Sequence, residues 1–225
     1  MNMRVYSKSR AIGKAPRRWP LLVAVLLAIA GALQMSQAFA ADPESSAAGD
    51  AEKIAGQICA SCHGPGGAST SPIFPVLAGQ HEEYLAAQLR AFKDRTRSDP
   101  EAHNYMWTMA TLVSDSMIDT LAHYYASQPP VAGKPGNPEA VAKGKELFEK
   151  GDAKRNIMAC TSCHGQNAEG HWVFPRLAGQ RSQYVFRQLQ VIQAQLRKSP
   201  VMHGIVKELK PGEMEDLGAY LQSIP

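Results

Sequence analysis

The run Cys59-Ala-Ser-Cys62-His63 recurs about a hundred residues later as Cys160-Thr-Ser-Cys163-His164, and the two copies take all four cysteines of the 225-residue chain. Two thiols one helical turn apart can reach the two vinyl groups of one porphyrin while the histidine directly behind them ligates its iron, so C-x-x-C-H is the attachment signature of c-type haem. Two copies predict two covalently attached haems c. A C-x-x-C pair also serves as a redox dithiol or as half of a zinc site, and a four-thiolate site joining the halves would account for the cysteines. That alternative leaves the repeated histidine without a role.

The duplication extends beyond the cysteines. Phe74-Pro75-Val76-Leu77-Ala78-Gly79-Gln80 returns as Phe174-Pro175-Arg176-Leu177-Ala178-Gly179-Gln180, Tyr84 is matched by Tyr184, and Leu89 by Leu189. Helical spacing of apolar residues predicts a helix over about 81–95, with Tyr84, Leu85, Gln88, Leu89 and Phe92 on one stripe. Another is predicted over 114–127, started by Ser114 or Asp115 and burying Met117, Leu121 and Tyr124. Asp50 is expected to cap a short helix over 51–60, after a polar mature N-terminus at 42–48, and 97–104 reads as a polar loop. In the second copy Asn137 caps, Pro138 takes the first helical position, and Val141, Leu147 and Phe148 face inward. The last helix starts at Pro211 and carries Met214, Leu217 and Tyr220. The expected fold is all-α, with domains at 41–130 and 139–225 and a linker at 131–138. Units of this size have marginal cores, so a buried porphyrin would be structural as well as chemical, and the apo-protein is expected to fold poorly.

Residues 1–40 hold six basic and no acidic residues, an apolar run over 21–33, and Ala38-Phe39-Ala40, an A-x-A cleavage signal. This reads as a secretory signal peptide, since the run is short of the roughly 20 residues that a membrane span needs. An uncleaved anchor is the alternative. Without the leader, 18 basic and 20 acidic residues remain, so the chain's basic balance is no argument for nucleic-acid binding. Residues 41–130 carry 5 basic and 11 acidic residues, whereas 131–225 carry 13 and 9. A bipolar molecule of this kind can be oriented by a charged redox partner before docking.

With His63 and His164 as fifth ligands, the sixth ligand separates an electron carrier from an enzyme, because an open position would admit gas or substrate. Aligning the last helices without gaps sets Met106 opposite Met202, Leu121 opposite Leu217 and Tyr124 opposite Tyr220. Met109 falls opposite Ile205. A second register, through Pro100 and Pro200, nominates His103 and His203 instead. Met109, Met117 and Met214 read as core filling, and His81, His123 and His171 as surface or loop residues.

C-x-x-C-H-G, F-P-x-L-A-G-Q and a methionine shortly before a final tyrosine-bearing helix, twice over behind a leader, resemble the dihaem cytochromes c of the cytochrome c4 family. The resemblance implies two tandem class I cytochrome c domains with His/Met ligation. It also implies that the carbonyls of Pro75 and Pro175 accept a hydrogen bond from the proximal histidine rings, with Leu77 and Leu177 packed on the haem faces. The expected function is a periplasmic single-electron carrier between a quinol-oxidising membrane complex and a terminal oxidase or other reductase, with no small-molecule substrate. A dihaem oxidoreductase of the peroxidase or sulfur-compound dehydrogenase type, or a fixed subunit of a respiratory complex, is the alternative.

Overall fold

The computed structural model describes residues 43–225, with side chains from residue 48 onward. The leader over 1–40 and its cleavage signal lie outside the described residues. Residues 44–225 form one compact unit. Among the described residues no strand forms, and the only β-contacts are two isolated bridges, Asp152 with Ile157 and His171 with Phe174. No helix among them is long and apolar enough to cross a membrane.

The first half opens with α1, Pro43–Ile54, which continues through a π-helical turn at Ala55–Cys59 into α2, Ala60–His63. Asp50 is therefore inside a helix rather than at its start, exposed and 3.6 Å from Lys53 Nζ. Proline is well placed in a first helical turn and the alanines that follow favour helix, so nucleation occurs earlier than at Asp50. Three more helices follow: α3 (Glu82–Lys93), α4 (Trp107–Thr111) and α5 (Asp115–Ala126). Along α5 the buried stripe is Ile118, Leu121, Ala122 and Tyr125, so Met117 and Tyr124 flank the predicted face rather than define it. Ser114 takes the cap position of α5, but its hydroxyl meets Ser116 Oγ instead of a backbone amide.

The segment 97–104 is not a polar loop. Asp99 caps a helical stretch that begins at Pro100, accepting from Ala102 N–H at 3.2 Å, and a π-helical turn at Ala102–Met106 leads into α4. An aspartate cap followed by proline at the first helical position is a start signal in its own right. Arg97 and Asp99 are buried and paired at 2.8 Å, with side chains 9% and 0% exposed.

The second half repeats the plan with α6 (Pro138–Lys150), α7 (Thr161–His164), α8 (Ser182–Gln193), α9 (Pro200–Val206) and α10 (Pro211–Ser223). Asn137 Oδ1 accepts from the N–H groups of Glu139 and Ala140, as its cap role requires. Phe148 from α6 and Met214, Leu217 and Tyr220 from α10 form the centre of the core. Burying a side chain such as Phe148 contributes about 1.5–3 kcal/mol. The two helices touch backbone to backbone at Gly144, where a Cβ would lie 2.0 Å from Asp216 O. Only glycine permits that crossing.

The connection between the halves is packed. Lys134 N–H donates to Gln222 O, and the chain at Pro130 and Val131 runs against Gly79 and Gly179. Both glycines adopt positive φ, 68° and 73°, and a Cβ on either would collide with that connection. The Ala-Gly-Gln of each repeat is thus a left-handed turn that throws a glutamine across the boundary between the halves.

Candidate functional site

The first C-x-x-C-H run ends the continuous helix from α1 to α2 and the second forms the short helix α7, and both deliver side chains to one cavity of about 680 Å³ running through both halves. His63 and His164, 7% and 5% exposed, project into it from α2 and α7. In each ring Nδ1 lies 3.0 Å from a carbonyl, Pro75 O for His63 and Pro175 O for His164. A carbonyl only accepts, so Nδ1 carries the proton and Nε2 keeps its lone pair. His164 Nε2 is buried and has no hydrogen-bond partner. Burial lowers the basicity of both imidazoles below the ordinary histidine value, against the raising effect of the two carbonyls. A neutral ring with a free inward lone pair is the form that binds a metal.

Cys59, Cys160 and Cys163 line the same cavity, and Cys62 is exposed beside it. Burial raises the Cys59 thiol and pushes Cys160 up to about 11, so these groups are thiols at neutral pH rather than reactive thiolates. Among the described residues no group of three or more His, Cys, Asp or Glu side chains is placed to hold a metal ion. The shared zinc site weighed from the cysteine count therefore has no geometry behind it.

Met106 and Met202 both line the cavity and both are half-buried. Met106 packs on Phe92, Ala102 and Ala110, and Met202 on the core of the second half. Met109 also reaches the cavity and is 39% exposed, so it is not core filling. His103 is exposed and stacks edge-on against Trp107, and His203 Nδ1 lies 3.2 Å from Ile192 O. Neither borders the cavity. The two sequence registers are each right over part of the chain. Pro100 and Pro200 both begin helical segments, but Met106 follows its proline by six residues and Met202 by two. The first half holds its four additional residues between those points, where the π-helical turn ends on Met106. Leu77 and Leu177 both line the cavity.

The wall is mainly apolar, with three arginines, Arg97, Arg176 and Arg197, set into it beside Lys198 and Glu101. That composition fits a group that is apolar over most of its surface and anionic at one edge. A haem with its two carboxylates has this character, and its iron could take the inward lone pair of His164 Nε2. The residues present fit the group that the motifs announce.

The family model described as cytochrome c matches residues 48–128 and 141–225. Cytochrome c-552 of Acidithiobacillus ferridurans is 40% identical over 206 residues, covering 91% of this chain and 86% of its own. The solved cytochrome c4 of Acidithiobacillus ferrooxidans aligns with a TM-score of 0.70 at 38% identity, covering 73% of this chain and 98% of its own. The chain belongs to the cytochrome c4 family. As a member it consists of two tandem cytochrome c domains and carries two covalently attached haems c. A further relative, from Thiomonas intermedia, is named thiosulfate dehydrogenase electron acceptor and is 33% identical over 218 residues, covering 93% of each chain.

Two groups of residues escape a reading of the sequence. One is the glutamine of each F-P-x-L-A-G-Q copy. Gln80 and Gln180 are both 6% exposed and bind the backbone of the opposite half. The other is a polar network between the halves. Arg97 donates to Asp99, Gln88 and Gln188, and Arg197 donates to Gln188, Gln88 and the Tyr84 hydroxyl. The matched positions of the glutamines, Gln88 with Gln188, were the available signal.

Proposed function

We propose that the chain is an exported, periplasmic electron carrier in which His63 and Met106 hold one iron and His164 and Met202 the other. When attached, each haem supplies an iron that exchanges single electrons between ferrous and ferric states. The protein's part would be to offer each iron a histidine and a methionine and to keep water from it. Pro75 and Pro175 orient the imidazoles, the cysteines fix the porphyrin edge, and Leu77 and Leu177 cover its faces. The observation that carries the reading is that both halves offer a cavity-lining methionine in the same register, so that neither site needs an open position. Met106 is preferred to Met109 because only Met106 has a counterpart in the second half.

The electron source is a quinol-oxidising membrane complex and the acceptor a terminal oxidase or another reductase. The Thiomonas intermedia relative supports a second donor, a thiosulfate-oxidising dehydrogenase. With either donor the chain receives electrons and performs no substrate chemistry of its own. The mixture of an acidic first half and a basic second half favours brief, salt-sensitive docking. Stopped-flow reduction of the ferric protein by each donor distinguishes the two. The expected result is fast, complete reduction of both haems by one donor, slowed by added salt, with no thiosulfate oxidised when the chain is given thiosulfate and an artificial acceptor alone. Oxidation of thiosulfate by the isolated chain would move it to the enzyme class.

A further inference from the structure

The histidine hydrogen bonds do not end at the proline carbonyls. The peptide group that contains Pro75 O also contains Val76 N–H, and that N–H donates to Gln180 Oε1 of the second half at 2.9 Å. Gln180 Nε2 donates back to Val76 O at 3.0 Å. The mirror image is complete. The peptide of Pro175 O presents Arg176 N–H to Gln80 Oε1 at 2.8 Å, and Gln80 Nε2 donates to Arg176 O at 2.9 Å. The orientation of both amides is settled by their partners, since a backbone N–H only donates and a carbonyl only accepts.

We propose that Gln80 and Gln180 are crossed positioning residues: each tunes the proximal histidine of the other half, His164 and His63 respectively, through one shared peptide group. Two linear chains result, His63 Nδ1–H to Pro75 O through to Gln180, and His164 Nδ1–H to Pro175 O through to Gln80. Hydrogen bonds in series through a peptide polarise one another, so an acceptor on the N–H side makes the carbonyl a stronger acceptor on the other. A stronger acceptor at Nδ1 gives the ring more imidazolate character and favours the ferric state of a bound iron. The first chain runs where water does not compete, because Val76 and Gln180 are buried; on the second, Gln80 is buried and Arg176 half-buried. Each glutamine oxygen also accepts from the next backbone amide in its own half, His81 or Arg181, which holds the side chain in place. The state of the boundary between the halves is thereby written into both iron sites, and each half reports on the other. This inference rests on the reading that His63 and His164 ligate iron.

The test uses the full haem-loaded protein and the variants Gln180→Leu and Gln80→Leu, with a redox titration followed by NMR so that each haem is read separately. In Gln180→Leu the His63 Nδ1–H resonance is expected to shift and the first-half haem to become easier to reduce, while the second-half haem moves less. Gln80→Leu is expected to give the mirror result. Gln180→Glu keeps an acceptor for Val76 N–H, so the first-half haem is expected at or below its wild-type potential, opposite in sign to the leucine variant. Arg187→Gln breaks the pair between Arg187 Nε and Glu101 Oε1, 2.7 Å across the same boundary, without touching either chain. It is expected to leave the two histidine resonances in place. Equal shifts of both haems in Gln180→Leu, a larger shift of the haem in the mutated half, or a shift matched by Arg187→Gln would overturn the proposal. Failure of the ligand reading would show differently, as wild-type His63 and His164 resonances lacking any iron-induced displacement.

Discussion

Replacing all four cysteines by alanine, and so preventing haem attachment, is expected to yield a chain that keeps much of its helix but loses fixed tertiary packing. The argument is one of magnitude. The polypeptide by itself leaves a mainly apolar cavity of about 680 Å³ that reaches into both halves and is partly open to solvent. A cavity that stays dry costs about 24 cal/mol per Å³, and wherever this one floods it exposes apolar wall at about 25 cal/mol per Å², against a whole stability of about 5–15 kcal/mol for an ordinary domain. The walls must collapse or separate. Nothing else compensates, since the second-half core is built around Phe148, Met214, Leu217 and Tyr220, and the first-half core around Ile118, Leu121 and Tyr125. Near-ultraviolet circular dichroism and a thermal melt check the expectation: no aromatic signal and no cooperative transition. A cooperative melt within a few degrees of the haem-loaded protein would contradict it.

The second large effect is expected at Asp99→Ala. Asp99 is fully buried and accepts from Arg97 Nε at 2.8 Å, while its other oxygen caps Ala102 N–H. Removing it leaves a guanidinium buried beside Phe92, 4.6 Å from the ring centroid, without its counter-charge. Breaking one side of a buried pair typically costs about 3–5 kcal/mol. For a chain of this size each kcal/mol corresponds to about 2–4 °C in Tm, so a fall of roughly 6–20 °C is expected. Asp99→Asn retains the cap and an acceptor and should lose less. Glu139→Ala on α6 provides the contrast. It breaks the Lys143–Glu139 pair, whose side chains are 61% and 77% exposed, and should shift Tm by no more than about 2 °C. Equal effects of Asp99→Ala and Glu139→Ala would refute the importance given to the network.

What the sequence disclosed followed how local each feature is. The haem motifs, the Asn137-Pro138 helix start and the Met214, Leu217 and Tyr220 stripe depend on residues within a few turns, and the structure has them as read. The π-helical turns at Ala55–Cys59 and Ala102–Met106 carry no residue signature. The burial of Arg97 and Asp99 was hidden because polar composition resembles a loop, although the Asp99-Pro100 start signal was present. Gln80 and Gln180 are the clearest case of information that is not local. Their partners lie 96 and 104 residues away, so a repeated glutamine in a turn gave no hint of what it touches.

The measurement that bears most directly on the account is the near-infrared spectrum of the purified ferric protein, searched for the sulfur-to-iron charge-transfer band of methionine ligation. Two equivalents of the band are predicted, with no high-spin signal, one lost in Met106→Ala and the other in Met202→Ala. A band that survives Met106→Ala but disappears in Met109→Ala would contradict the ligand assignment in the first half. A low-spin spectrum with no such band would contradict it in both.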